Sequence, residues 1–124
     1  MAKTLILAGI AFTMLGVVIG AFGAHGLKPH VTKDLFENFQ TGVQYHFYHA
    51  LGLLILGIYI HVAGPSALAG WAGGLFIGGI LIFSGSLYLM AITDARWLGA
   101  ITPIGGTAFI AGWVLWFITV WQKL

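Results

Sequence analysis

Four long apolar stretches constrain the fold of this chain more than any other feature. They cover about residues 4–24, 45–62, 67–93 and 103–121, and a helix needs about 20 mostly apolar residues to cross a bilayer. Only 6% of the 124 residues are charged, whereas a soluble domain carries about 25%. The sequence therefore predicts an all-α membrane protein whose residues 1–124 form one domain, a bundle of four transmembrane helices.

The first stretch has some features of a secretory signal, because Lys3 precedes an apolar core and the small residues Ala21 and Gly23 imitate a cleavage site. Its apolar core is longer than the roughly 7–15 residues of such a signal. We therefore expect this stretch to remain as the first helix.

An amphipathic segment covers about residues 32–43, between the first two spans. Leu35, Phe39 and Val43 recur at helical spacing, and Thr32 supplies a hydroxyl suited to an N-cap. The pattern predicts an interfacial helix that runs into the second span. A cap packed on the end of the bundle fits the same pattern equally well.

The charged residues are few and scattered. The net charge of +2 comes without a basic patch, so we expect no nucleic-acid partner. An even number of spans puts both termini on one side, and Lys and Arg divide almost evenly between the two sides, so charge leaves the orientation open. We interpret Asp34 and Glu37 as the solvated face of the amphipathic segment, and Asp94 with Arg96 as a turn and an anchor to lipid headgroups.

Polar side chains gather at the membrane face opposite the termini, most densely in the heptapeptide QYHFYHA at residues 44–50. Ionisable groups inside a membrane usually face the bundle interior, so we expect them to converge there. Thr102 and Pro103 are expected to begin the fourth helix as N-cap and first residue, with its free amide donors directed at the cluster. In particular, His25 and His49 are expected to face each other. The predicted polar cluster comprises His25, Gln44, Tyr45, Tyr48, His49, Ser84, Tyr88 and Thr102.

Glycines recur at the spacing that lets transmembrane helices approach closely. The third span carries Gly70, Gly74 and Gly78, which predicts that this helix is the centre of packing. Packing within one chain is the favoured interpretation, and a face that binds a second copy is the alternative.

Four motifs together resemble a known family. The segments GAFGAHGLK, QTGVQYHFYHALGLLILG, FSGSLYLMAIT and ITPIGGTAFIAGWVLW are similar to the small four-helix inner-membrane proteins of the YgdD and YwdK type, a family of unknown function with a eukaryotic transmembrane relative. The resemblance implies a multi-pass protein of the bacterial inner membrane with both termini in the cytoplasm, and it implies no established activity. His30 and His46 are peripheral to the motif positions.

Three classes of function remain open. A structural or partner-binding bundle, held together by the polar cluster, is favoured, with the lipid bilayer and a second copy or another membrane protein as partners. A pathway or pocket for an ion, a proton or a small solute is the alternative. A haem, metal or quinone site is third, since His46 and His49 share a helix face. The sequence has no catalytic motif and no set of metal ligands, so we predict neither an enzyme nor a bound cofactor.

Overall fold

The computed structural model describes residues 1–124 and consists of four long helices. These are α1 (Ala2–Phe22), α2 (Lys33–Ala63), α3 (Ala67–Thr93) and α4 (Thr102–Lys123). With its short extensions, each helix is long and apolar enough to cross a membrane. The predicted all-α architecture with four membrane helices is confirmed.

Short irregular turns modify the ends of the helices and the middle of α3. A π-helical turn (Gly23–Leu27) and a 3-10 turn (Lys28–His30) extend α1, and a second 3-10 turn (Arg96–Ala100) leads into α4. A further π turn (Ile80–Ser84) lies inside α3. Asp94 follows α3 with φ 57°, a left-handed conformation that ends the helix, so the predicted turn at this position is confirmed.

The helices pack as two close pairs, α1 against α2 and α3 against α4, with α2 and α3 in the centre. One glycine in each pair makes the close approach possible. A Cβ atom at Gly9 would lie 2.6 Å from the Leu54 backbone nitrogen, and one at Gly105 would lie 2.3 Å from that of Phe83. Neither position can accept a side chain unless the helices separate.

The expected glycine face of α3 is not the face that packs. Gly74 and Gly78 have no atoms within 4 Å of a Cβ built on them, so the prediction that they pack within the chain is wrong. Gly73 and Gly79 pack instead, against the side chains of Leu5 and Phe109. The α3 helix is central, as expected, but through neighbouring positions that lie on a different side of the helix.

The buried face of α2 follows one regular line, which we call the α2 seam. Its members are separated by four and three residues in alternation, the spacing of a left-handed helix bundle. They are Leu35, Phe39, Gly42, His46, His49, Leu53, Leu56 and Ile60, all of them buried.

The amphipathic segment is the first part of α2 and is continuous with the second span, as the interpretation of a helix that runs into this span predicted. Its apolar face is buried on the bundle and does not lie flat in the interface. Leu35 packs with Leu87 and Met90 of α3, and Phe39 packs with Leu27 and Ala91. The arrangement corresponds to the cap on the end of the bundle.

Both termini lie at one end of the bundle, beside the α2–α3 connection. The Lys123 ammonium group donates a hydrogen bond of 3.1 Å to the carbonyl of Ala63, the last residue of α2. Met1 lies beside Gly70 in the first turns of α3. We call this the terminal end, and the opposite end, where α1 leads into α2 and α3 into α4, the mouth.

Candidate functional site: the buried polar groups

His46 connects three helices. Its Nε2 atom lies 2.7 Å from the carbonyl oxygen of Phe12 in α1, and its Nδ1 atom lies 2.9 Å from the hydroxyl of Tyr88 in α3. A carbonyl can only accept, so Nε2 carries the proton, and in a neutral ring Nδ1 then accepts from Tyr88. The side chain is 1% exposed, so α2 is tied to both neighbours inside the bundle.

His49, one turn further along the α2 seam, connects α2 to α4. Its Nδ1 atom donates to the carbonyl of Tyr45 at 2.8 Å, and its Nε2 atom accepts from the indole N–H of Trp113 at 2.9 Å. The ring also stacks on Phe109, with centroids 3.5 Å apart. The two histidines therefore carry their proton on opposite ring nitrogens.

Two hydroxyl contacts complete the interhelical network. Ser84, in the π turn of α3, donates to the carbonyl of Gly42 in α2 at 2.7 Å. Ser86 and Thr102 share a hydrogen bond of 2.6 Å that joins α3 to the start of α4. Thr102 is not the N-cap of α4, as was expected, because the preceding 3-10 turn places Ile101 there and directs the Thr102 hydroxyl to Ser86 and to the Leu98 carbonyl.

The predicted cluster is divided in the structure. His49, Ser84, Tyr88 and Thr102 take part in the interhelical network, but in separate pairs. Gln44 and Tyr48 bond to each other at 2.6 Å on the outer surface of α2, so their expected inward orientation is wrong. Tyr45 is 39% exposed, and its ring lies against Phe83.

The expected contact between His25 and His49 is also wrong. Gly23 lies against the Phe39 ring, and His49 is ten residues farther along α2, roughly 15 Å at 1.5 Å per residue. His25 lies beyond Gly23 in the other direction and is exposed. The π turn after α1 extends toward the mouth, so His25 and His49 lie at different depths.

Sequence reasoning missed two residues that are central to the network. His46 was left out of the predicted cluster and entered only the haem or metal alternative, and Trp113 was not considered. The alternation of four and three residues along α2 places His46 and His49 together on one seam and leaves Tyr45 and Tyr48 off it. That spacing was available in the sequence, whereas nothing in the sequence pairs Trp113 with His49.

Charged residues meet at the mouth, outside the apolar spans. The Arg96 guanidinium binds Asp34 at 2.6 Å and Asp94 at 3.1 Å, so Asp34 is more than the solvated face that was expected. The hydrogen bond from Arg96, with a further one from the Thr32 hydroxyl, lowers the pKa of the Asp34 carboxyl to about 2. The same partner raises the pKa of Arg96. This contact fastens the start of α2 to the α3–α4 connection.

The buried network is suited to holding helices together. All four ring nitrogens of His46 and His49 already have partners within the protein, and every buried side-chain nitrogen or oxygen atom is hydrogen-bonded. A haem or metal ion could bind either ring only after one of these bonds was broken. The hydrogen bonds also run between helices: they tie α2 to α1, α3 and α4, and α3 to α4.

Residues 19–106 match the protein family described as protein of unknown function (DUF423). A UPF0382 membrane protein of Staphylococcus haemolyticus is 44% identical over 121 residues, 97% of each chain. The UPF0382 membrane protein YwdK of Bacillus subtilis is 44% identical over 116 residues, 91% of this chain and 92% of its own. No solved structure matches. Since the family match covers most of the chain and the relatives align over nearly their full lengths, this chain belongs to the DUF423 family of membrane proteins, as the resemblance to YwdK predicted.

Proposed function

We propose that this protein is a structural, partner-binding membrane bundle without catalytic activity. The observation that carries the proposal is the full hydrogen bonding of His46 and His49 by groups of the protein itself. A haem or metal ligand uses the lone pair of a ring nitrogen, and in both rings that lone pair already accepts a hydrogen bond from the protein. Here both rings are used to join helices.

The polar pairs join all four helices. His46 binds groups of α1 and α3, His49 binds α4, and Ser86 with Thr102 joins α3 to α4. Interhelical hydrogen bonds in membranes contribute on average about 0.6 kcal/mol each, so one would do little and several together fix the arrangement of the helices. Such a framework can hold an outer surface in a constant shape for a partner.

The proposed partners are the lipid bilayer and a second copy of the chain or another membrane protein, and not nucleic acid. The open positions Gly74 and Gly78 on the outer face of α3 support such a contact, because small residues let a second helix approach closely. Disulfide crosslinking of Gly74→Cys in native membranes tests it, with Met14→Cys on the exposed face of α1 as the control. Crosslinking of both or neither variant would contradict a copy-to-copy contact through α3.

The proposed location is the bacterial inner membrane, with both termini in the cytoplasm. The relatives are membrane proteins of bacteria, which supports a location in a bacterial membrane. The orientation depends on the family resemblance, because basic residues divide almost evenly between the two sides. Reporter fusions at Leu124 test the orientation. A C-terminal fluorescent protein that folds only in the cytoplasm should be bright, and an active C-terminal alkaline phosphatase would reverse the assignment.

A spectrum and a metal analysis test the central proposal against the haem or metal alternative. We expect protein purified from its native membrane to be colourless and free of stoichiometric metal, and His49→Ala to change only its stability. A Soret band that disappears in His49→Ala would overturn the structural role. The small-solute alternative depends on a different feature, a groove beside His49.

A further inference from the structure

A groove opens sideways from the bundle next to His49. Its volume is about 500 Å³, within the roughly 300–1,000 Å³ range of ligand pockets. Tyr45 and His49 line it from α2, Phe83 from α3, and Thr107 and Ile110 from α4. Ile110 is 68% exposed, so the groove faces the lipid.

A second, shallower groove continues along the same face of α4. It has a volume of about 390 Å³ and is lined only by Trp113, Trp116, Phe117 and Val120. Trp113 lines both grooves, so they form one track. From Thr107 to Val120 the track follows α4 for roughly 20 Å, at 1.5 Å per residue.

Polar groups lie at only one end of this track. The Tyr45 hydroxyl has no hydrogen-bond partner in the protein, and the Thr107 hydroxyl donates to the Pro103 carbonyl at 2.9 Å, which leaves its lone pairs free to accept. Both residues lie on the mouth side of the His49–Trp113 bond, because α2 and α4 both begin at the mouth and each residue precedes its bonded neighbour along its helix. From Phe109 to Val120 the lining is almost entirely aromatic and aliphatic.

We propose that this track binds one molecule of a single-chain amphipathic lipid. A head with a carbonyl or hydroxyl group would bond to Tyr45 and Thr107, and its apolar chain would lie over Trp113 and beside Phe117. The polar end, the apolar length and the opening to the membrane each match one part of such a ligand. The proposal is independent of the structural role of the histidines, because it uses no ring nitrogen of either.

The structure offers one variant that blocks the groove and one control that does not. A Cβ at Gly106, in the wall of the groove, would lie 3.6 Å from the Phe83 ring, an ordinary contact, so Gly106→Leu can fill the groove without displacing backbone. The control is Ala11→Leu, which enlarges an exposed side chain on α1 that lines neither groove. Tyr45→Phe is a third variant that removes only the head-group donor.

Fluorescence quenching provides the test. A chain with Trp71, Trp97 and Trp121 replaced by Phe reports from Trp113 and Trp116 alone, in vesicles of unbrominated phosphatidylcholine to which a brominated monoacylglycerol is added. We expect saturable quenching at low mole fraction, absent in Gly106→Leu and unchanged in Ala11→Leu. Tyr45→Phe should weaken the apparent affinity roughly two- to tenfold. Quenching that rises linearly and equally in all variants would overturn the proposal, as would saturation only by a brominated diacyl phosphatidylcholine. Loss of saturation in Ala11→Leu would overturn it as well, because that variant leaves the groove open.

Discussion

The two buried histidines of α2 are one helical turn apart, yet their surroundings differ. His46 is enclosed between α1 and α3, beside a cavity of only about 120 Å³. His49 faces α4 and forms part of the wall of a groove about four times larger. The helix that each ring meets, and not the residue type, decides how large a space lies beside the ring.

The hydrogen-bond partners differ in the same way. Trp113 can only donate, so the Nε2 atom of His49 must keep its lone pair while that bond exists. The Tyr88 hydroxyl can donate or accept, so the hydrogen bond between Tyr88 and His46 can form whether or not Nδ1 carries a proton. The partners of His49 therefore allow only one position for its proton, whereas His46 is the less exposed of the two rings.

The largest effect is expected for His46→Phe. The variant leaves the Tyr88 hydroxyl without its partner inside the bundle, and a buried group left unsatisfied costs about 1–3 kcal/mol. We expect the free energy of unfolding in detergent, measured by titration with sodium dodecyl sulfate, to fall by about 2 kcal/mol. His25→Phe, at an exposed position, is the control and should change it by no more than about 0.5 kcal/mol. Equal losses in both variants would contradict the enclosed role of His46.

His49→Phe should cost less, about 1 kcal/mol in the same titration. A phenyl ring can keep the stacking on Phe109, and Trp113 lines the groove, so its indole has space to turn toward another acceptor. If His49→Phe lowered the free energy of unfolding as much as His46→Phe, the groove would not reduce the cost of losing the His49 hydrogen bond. The two sites would then be equivalent.

A double-mutant cycle isolates the bond between His49 and Trp113. His49→Phe, Trp113→Phe and the combined variant should give a coupling free energy of about 0.6 kcal/mol, the average for interhelical hydrogen bonds in a membrane protein. The same cycle on Ile58 and Trp113 is the control, since Ile58 lies on the exposed face of α2. Coupling near zero for the histidine pair would mean that the stack on Phe109 alone holds the ring.

The sequence predicted which residues form the helices, but not which face of each helix packs against its neighbours. Long apolar stretches and the regular spacing from Leu35 to Val43 predicted four spans and an extended second helix, because length and periodicity are local properties. Which face of α3 packs is decided by its neighbours, so Gly73 and Gly79 could not be chosen over Gly74 and Gly78 by spacing alone.

The polar groups show the same limit. His49, Ser84, Tyr88 and Thr102 were expected to form one cluster, whereas each bonds to a different partner, because pairing depends on contacts between helices. His25 was misplaced because the π turn after α1 carries it toward the mouth. In an apolar chain, a polar residue near a span end can reach water without turning inward, and composition does not distinguish the two outcomes.

The smallest effect is expected at the exposed contact between Asp34 and Arg96, which shows what a polar bond contributes outside the lipid. The pKa of Asp34 is lowered from 3.8 to about 2, so the stabilisation is fully present above about pH 4 and is lost as the pH falls through 2. The denaturation midpoint of Asp34→Asn should therefore lie slightly below that of the unchanged chain at pH 6 and converge with it toward pH 2. Arg96→Gln removes the other member of the same ion pair and should show the same convergence. A difference that grows as the pH falls would mean that the carboxylate is destabilising, and the start of α2 would then depend on the packing of Leu35 and Phe39 alone.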